Sequence, residues 1–319
     1  MIYLIILLLL FVAELLYFRI ADKFNIIDKP NERSSHTQVT LRGGGVIFYI
    51  GVVIYFIYYQ FAYPWFFAGL TLITLISFID DVRSLPSLFR LMIQFVAMGL
   101  MFYQWQLFAM PWYVWLAALV LCTDIINAYN FMDGINGITG GYSLVVASAL
   151  WYINAQVVSF TDNNLIIILL LSLLVFNFFN FRTKARCFAG DVGAVSIAFI
   201  LIFLIGRLII KTGDFSYLIL LAVYGVDAVL TIIHRIQLKE PLMEAHRKHM
   251  YQIMANELKM PHIIVSLVYM AVQAVIIGGY FLTDNRYMYL FLVVAMLSAI
   301  YIIFMLKFFR LHSENNRYE

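Results

Sequence analysis

Five polar stretches in an otherwise apolar chain hold residue types suited to binding phosphate and metal. Asp80 and Asp81 stand side by side at the end of an apolar run, followed by Arg83 and Pro86. An Asp at the centre of a membrane helix costs about 2.5–3.5 kcal/mol on insertion scales, and less near the interface. An adjacent pair there calls for a partner: a metal, a proton or a cationic substrate. The simpler alternative is a solvated helix end paired with Arg83. Asn127, Asn130 and Asp133 follow at spacings of three, which lines them along one face if the helix continues. Amide and carboxylate oxygens of this kind suit Mg2+ rather than Zn2+. The glycines after Asp133 end the helix and let backbone close on a ligand.

Asp191 lies between Gly190 and Gly193 at the start of another apolar run, after a loop carrying Arg182, Lys184 and Arg186. A helix N-terminus favours anions and metal-bound phosphates, which makes Asp191 a candidate metal ligand, with an N-cap role as the alternative. His246 and His249 enclose Arg247 and Lys248. With no nearby Cys or third His they are poor zinc ligands, whereas imidazole and guanidinium donors suit a diphosphate. A basic membrane-surface stretch is the competing reading. The stretch Asp28–Gly45 contains Arg33, His36 and Arg42 and ends in three glycines, a pattern suited to an anion or, equally, to a polybasic stop-transfer loop. Asp227 falls deeper in an apolar segment and is expected to pair with a cation or turn towards a cavity.

The elements that must position these residues are membrane helices. The chain has 319 residues, 64% of them apolar and 12% charged, with mean hydropathy +0.90, which excludes an ordinary soluble domain. Apolar runs long enough for a hydrocarbon core of about 30 Å predict eleven helices, near 2–20, 43–61, 64–80, 88–105, 112–130, 139–158, 164–181, 191–210, 216–234, 261–282 and 287–308. Numbering the loops alternately puts every motif above on one side. Of the 21 Lys and Arg residues only Arg207, Lys211 and Arg286 fall on the other. The positive-inside rule makes the motif side cytoplasmic, with the N-terminus outside and the C-terminus inside. The first apolar run has its basic residues, Arg19 and Lys23, after it, so it reads as a helix instead of a signal peptide. Cys122 and Cys187 form neither a disulfide framework nor a zinc site. Residues 1–319 are expected to form one all-α polytopic membrane domain, with the lipid bilayer as partner, a homodimer left open and no nucleic acid.

Taken together the loops resemble the polyprenyl-phosphate N-acetylhexosamine-1-phosphate transferase family, glycosyltransferase family 4, in its O-antigen-initiating branch. The run Asn127-Ala128-Tyr129-Asn130-Phe131-Met132-Asp133-Gly134-Ile135-Asn136-Gly137, followed by Phe188-Ala189-Gly190-Asp191-Val192-Gly193, carries most of the likeness. Matching segments extend from Asp28 to Gln252. The resemblance implies transfer of a sugar 1-phosphate from a UDP-N-acetyl sugar to undecaprenyl phosphate, with release of UMP, at the cytoplasmic face of a bacterial inner membrane. By motif position, Asn130 and Asp191 would hold Mg2+, with Mn2+ as a substitute. Asp80, Asp81 and Asp133 would line the reacting phosphates, and His246, Arg247 and His249 the diphosphate. Asn180, Phe188 and Asn136 would sit by the nucleotide, and His36 and Arg42 would receive the lipid phosphate. Leu41 replaces a usual Pro, Ala194 a common Ser, the interval from Asn180 to Asp191 is one residue longer than usual in the family, and the triple-His run of the peptidoglycan translocase is missing. The competing class is an ion-coupled transporter, for which Glu14 and Asp227 are the intramembrane acids, although the outer side is almost bare of charge.

Overall fold

The computed structural model describes residues 1–30, 35, 38–240 and 247–315, with the backbone alone from 309 onward. Helices α1 (Ile2–Lys23), α2 (Val46–Tyr58), α3 (Pro64–Val82), α4 (Ser87–Gln104), α5 (Trp112–Met132) and α6 (Ile138–Tyr152) form the first half. Helices α7 (Asn163–Asn180), α8 (Gly190–Thr212), α9 (Ala222–Gln237), α10 (Met250–Gln252), α11 (His262–Phe281) and α12 (Arg286–Asn315) complete the chain. Among the described residues nine helices are long and apolar enough to cross a membrane, which makes this an all-α polytopic membrane protein. A 3-10 stretch at Phe215–Leu221 continues into α9 and lengthens that span. Two expected spans take other forms. The predicted 43–61 becomes the 13-residue α2, and 139–158 becomes α6 continued by a π-turn at Ile153–Val157.

The first difference has a clear cause. Gly43–Gly45 are occupied in pairing with the loop before α8 and so do not join the helix. The Gly44 and Gly45 N–H groups donate to the carbonyls of Phe188 at 2.9 Å and Ala189 at 3.1 Å. A short antiparallel hairpin, β1 (Ile27–Asp28) with β2 (Thr40–Leu41), leads into these glycines, and Leu41 bridges onward to Cys187. The predicted inner loop 235–260 also gains structure, since α10 and a π-turn at Ile253–Glu257 lie within it.

Helix α8 is the hub of the bundle. In its central stretch 78% of residues are buried, against 22% for α4, α5 and α12, so it reads as apolar on all sides while the outer helices keep a lipid-facing stripe. It packs against α2, α3, α5 and α6. Its approach to α2 is backbone to backbone: a Cβ built on Gly45 would collide with the Gly193 Cα and come within 3.0 Å of the Ala189 carbonyl. No flexible side chain is available to yield. Gly45→Val is therefore expected to lower the melting temperature of the detergent-solubilised protein, at the usual overpacking cost of about 1–3 kcal/mol. Gly99→Ala is the control, because a Cβ there meets nothing within 4 Å. Equal melting of the two variants would refute the close contact.

Candidate active site

The last turns of α3 and α5 meet the first turns of α4 and α8 at one end of the bundle, and the polar motifs meet there with them. They enclose a cavity of about 500 Å3 whose polar wall includes Asp80, Arg90, Asn127, Asn130, Asp133, Asp191 and His249. The spacing of three along α5 does what the sequence requires of it. Asn127 and Asn130 share the face of the helix towards the cavity, and Asp133, the residue that ends it, follows on the same side.

Asp80 and Asp81 part company, because neighbours on a helix point about 100° apart. Asp80 turns to the cavity, accepting from the Leu85 N–H and from Arg90 Nη1, both at 2.6 Å. Asp81 turns away, with a side chain 0% exposed, and its Oδ1 lies 2.6 Å from Arg42 Nε. The same carboxylate accepts the N–H groups of Asp191 at 2.9 Å and Val192 at 3.0 Å. These are among the first N–H groups of α8, which no residue of that helix can satisfy. The N-cap role that was the alternative for Asp191 is thus filled by Asp81, a residue of another helix. Gly190, at φ +70°, makes room for this: a Cβ there would stand 2.6 Å from Asp81 Oδ2.

Asp191 is left to face the cavity between two guanidinium groups. Its Oδ1 lies 3.1 Å from Arg42 and its Oδ2 3.3 Å from Arg90. The acids thus pair with Arg42 and Arg90, and Arg83 is exposed. Burial opposes the charge of Arg42, but Asp81 and then Asp191 outweigh it and hold its guanidinium above its ordinary value. Burial pushes the Asp133 carboxyl up to about 7; the Thr139 hydroxyl works against this and the charge of Asp191 adds to it.

Other expected residues tie the loops together. Asn180 Oδ1 accepts from the Gly137 N–H and its Nδ2 donates to the Cys187 carbonyl, each at 2.8 Å. Asn136 Nδ2 donates to the Arg182 carbonyl at 2.8 Å. Phe188 joins the glycine loop through its backbone, and Arg247 is half-buried; neither these two nor Asn136 and Asn180 contribute to the cavity wall. His36 and His246 lie outside the described residues. Arg90 was not singled out by its spacing, yet a signal was present. In a helical hairpin, residues close to the turn on either side face each other, and Asp80 and Arg90 stand in the last turn of α3 and the first of α4.

Among the described residues no three His, Cys, Asp or Glu side chains come together as a metal cage. Asp80, Asp191, Asn127 and Asn130 offer hard oxygens around one space. That donor set fits an ion held by one or two carboxylates that completes its shell with phosphate and water, as Mg2+ does.

Residues 63–209 match the family described as Glycosyl transferase family 4. A relative from Bacillus subtilis (strain 168), named "Probable undecaprenyl-phosphate N-acetylglucosaminyl 1-phosphate transferase", is 26% identical over 253 residues, covering 73% of this chain and 70% of its own. The undecaprenyl-phosphate alpha-N-acetylglucosaminyl 1-phosphate transferase of Escherichia coli (strain K12) is 27% identical over 222 residues, 61% of this chain and 59% of its own. The decaprenyl-phosphate N-acetylglucosaminephosphotransferase of Mycobacterium leprae (strain TN) is 26% identical over 216 residues, 57% of this chain and 54% of its own.

The division of labour between the adjacent acids is open to measurement. Asp81→Asn leaves buried N–H groups of α8 and Arg42 short of an acceptor, at a cost of about 1–3 kcal/mol, and should lower the melting temperature. Asp80→Asn should melt close to the wild type, since its partners keep access to solvent. The reverse order of melting temperatures would contradict the assignment.

Proposed function

We propose that this chain is a member of glycosyl transferase family 4, whose model matches residues 63–209, and that it transfers an N-acetylhexosamine 1-phosphate from a UDP-linked donor to undecaprenyl phosphate, releasing UMP. N-acetylglucosamine is the first sugar to test, since the three relatives are named for it. The observation that carries the reading is the cavity itself, where carboxylates, amides, an imidazole and a guanidinium surround one space at the end of an apolar bundle.

The reaction exchanges one phosphoanhydride for another. The bond between the sugar-bearing phosphorus and UMP breaks, and a bond from that phosphorus to an oxygen of the lipid phosphate forms. Little net energy is at stake, so the protein's work is placement and charge neutralisation. A phosphomonoester has a second pKa near ~6, so much of the acceptor is already dianionic at neutral pH. Asp80 would take the remaining proton or act through the metal. Arg90 and His249 supply donors for the diphosphate, and Arg42 holds Asp191 in place. Asp191 and Asn130 would hold Mg2+, which when bound neutralises charge on the reacting phosphates.

The finer topology forms part of the same proposal: eleven crossings counting α2 and α6, the N-terminus outside and the site at the cytoplasmic face of a bacterial inner membrane. The asymmetric Lys and Arg distribution supports it.

The test is UMP release by the purified protein with undecaprenyl phosphate, Mg2+ and a panel of UDP-N-acetyl sugars. Release should need the lipid, stop with EDTA and vanish in Asp191→Ala. Arg90→Ala should lower kcat/KM for the UDP-sugar about 10- to 150-fold, the loss of one hydrogen bond to a charged group worth about 1.5–3 kcal/mol. No release from any donor, or release that survives Asp191→Ala, would overturn the reading.

A further inference from the structure

Helix α9 carries a carboxylate that the chemistry above leaves without a task. Asp227 is 4% exposed, on an interior face of α9. Its Oδ2 accepts from the Tyr269 hydroxyl of α11 at 2.6 Å. Its Oδ1 accepts from the Met250 N–H at 3.1 Å and the Thr231 hydroxyl at 3.2 Å, and lies 3.4 Å from His249 Nδ1. A carboxylate taken out of water within a helix bundle is costly even with good partners, and intramembrane acids are kept where they act on something. Of the groups gathered on Asp227, His249 is the one whose side chain reaches the cavity wall.

We propose that Asp227 is a positioning residue for the transfer: it anchors the His249 ring and the start of α10, so that the far edge of the imidazole donates to the substrate's phosphates. The inference rests on the phosphotransfer reading. Two tethers act together. The Met250 N–H fixes where the backbone of the turn lies, and the contact with Nδ1 fixes how the ring is turned. Gln252 adds a third, since its Oε1 accepts from the His249 N–H at 3.2 Å. The 3.4 Å separation is an ion-pair contact, and hydrogen bonds around catalytic groups commonly tighten only in the reacting complex.

Asp227→Asn keeps the shape and removes the charge. His249→Ala should lower kcat/KM for UMP release, and Asp227→Asn should lower it about 10- to 100-fold, the scale of removing a carboxylate that orients a histidine at a metal site. Added to His249→Ala, Asp227→Asn should cost nothing further, and Asp227→Glu should restore part of the rate. Full activity in Asp227→Asn, or losses that simply multiply, would overturn the proposal. If Asp227→Asn does not fold, Tyr269→Phe takes its place. It keeps the charge, removes the shortest hydrogen bond upon it, and must lower the rate of the wild type but not that of His249→Ala. A wild-type protein with no lipid-dependent UMP release sinks the phosphotransfer reading and this inference with it. An active wild type whose rate Asp227→Asn leaves unchanged sinks the inference alone.

Discussion

The first N–H groups of α8 have no acceptor in their own helix, and the Asp81 carboxylate reaches across from α3 to meet them. Much of the site's geometry follows from that contact. It brings the end of α3 against the start of α8, and because Asp81 is held there, Asp80 is rotated into the cavity. It also gives Arg42 a buried anchor at 2.6 Å, from which the same guanidinium reaches Asp191 at 3.1 Å. The arrangement needs the backbones to approach closely, which Gly190 permits beside Asp81 and Gly45 permits beside Gly193. The glycines are thus part of the electrostatic design: without them the carboxylate and the helix end could not come within hydrogen-bonding distance.

Charge bookkeeping around the cavity shows what the site lacks. Asp80, Asp81, Asp133 and Asp191 are gathered at one end of the bundle, and Arg42 and Arg90 are the cations paired with them. Among the described residues four carboxyls there face two guanidinium groups, and burial, with the charge of Asp191 adding to it, pushes the Asp133 carboxyl up to about 7. Such a site gains from a cation brought in from outside, and it would repel a diphosphate that came without one. This imbalance supports the proposal that Mg2+ accompanies the donor, by an argument independent of family likeness.

The sequence made the broad plan legible because hydrophobic length and loop charge each report one simple quantity. Asn127, Asn130 and Asp133 were readable for the same reason, since helical period alone puts them on one face. The short α2 was harder to foresee, because Gly43–Gly45 are apolar enough to extend a span while their backbone is committed to Phe188 and Ala189. The contrasting roles of Asp80 and Asp81 were beyond composition: residue type is identical, and only the position of α8 decides which acid is buried. Asn136 and Asn180 were assigned to the nucleotide by motif, yet their amides join loops that pass beside the cavity. Asp227 could be seen to need a partner, but its pairing with His249 joins residues from α9 and a later turn that no local period connects.

The cavity is also graded along its depth, and the gradient bears on the acceptor. On α3 the wall runs from Asp80 through Ser77 and Ile76 to Ile73; on α4 Arg90 is followed by Leu91, Ile93 and the uncharged Gln94, and on α8 Asp191 by Val195. Seven residues of helix from Asp80 to Ile73 span about 10 Å, so charge gives way to hydrocarbon within the length of a few isoprene carbons. A soluble anion would leave that apolar half facing water, and a simple lipid tail would strand the carboxylates. A molecule with a phosphate head on an unsaturated hydrocarbon chain satisfies both halves in one orientation, head beside Arg90 and tail towards Ile73. Under the proposed reaction, the same orientation brings the lipid phosphate to the part of the cavity that Asp80 and Asp191 line together.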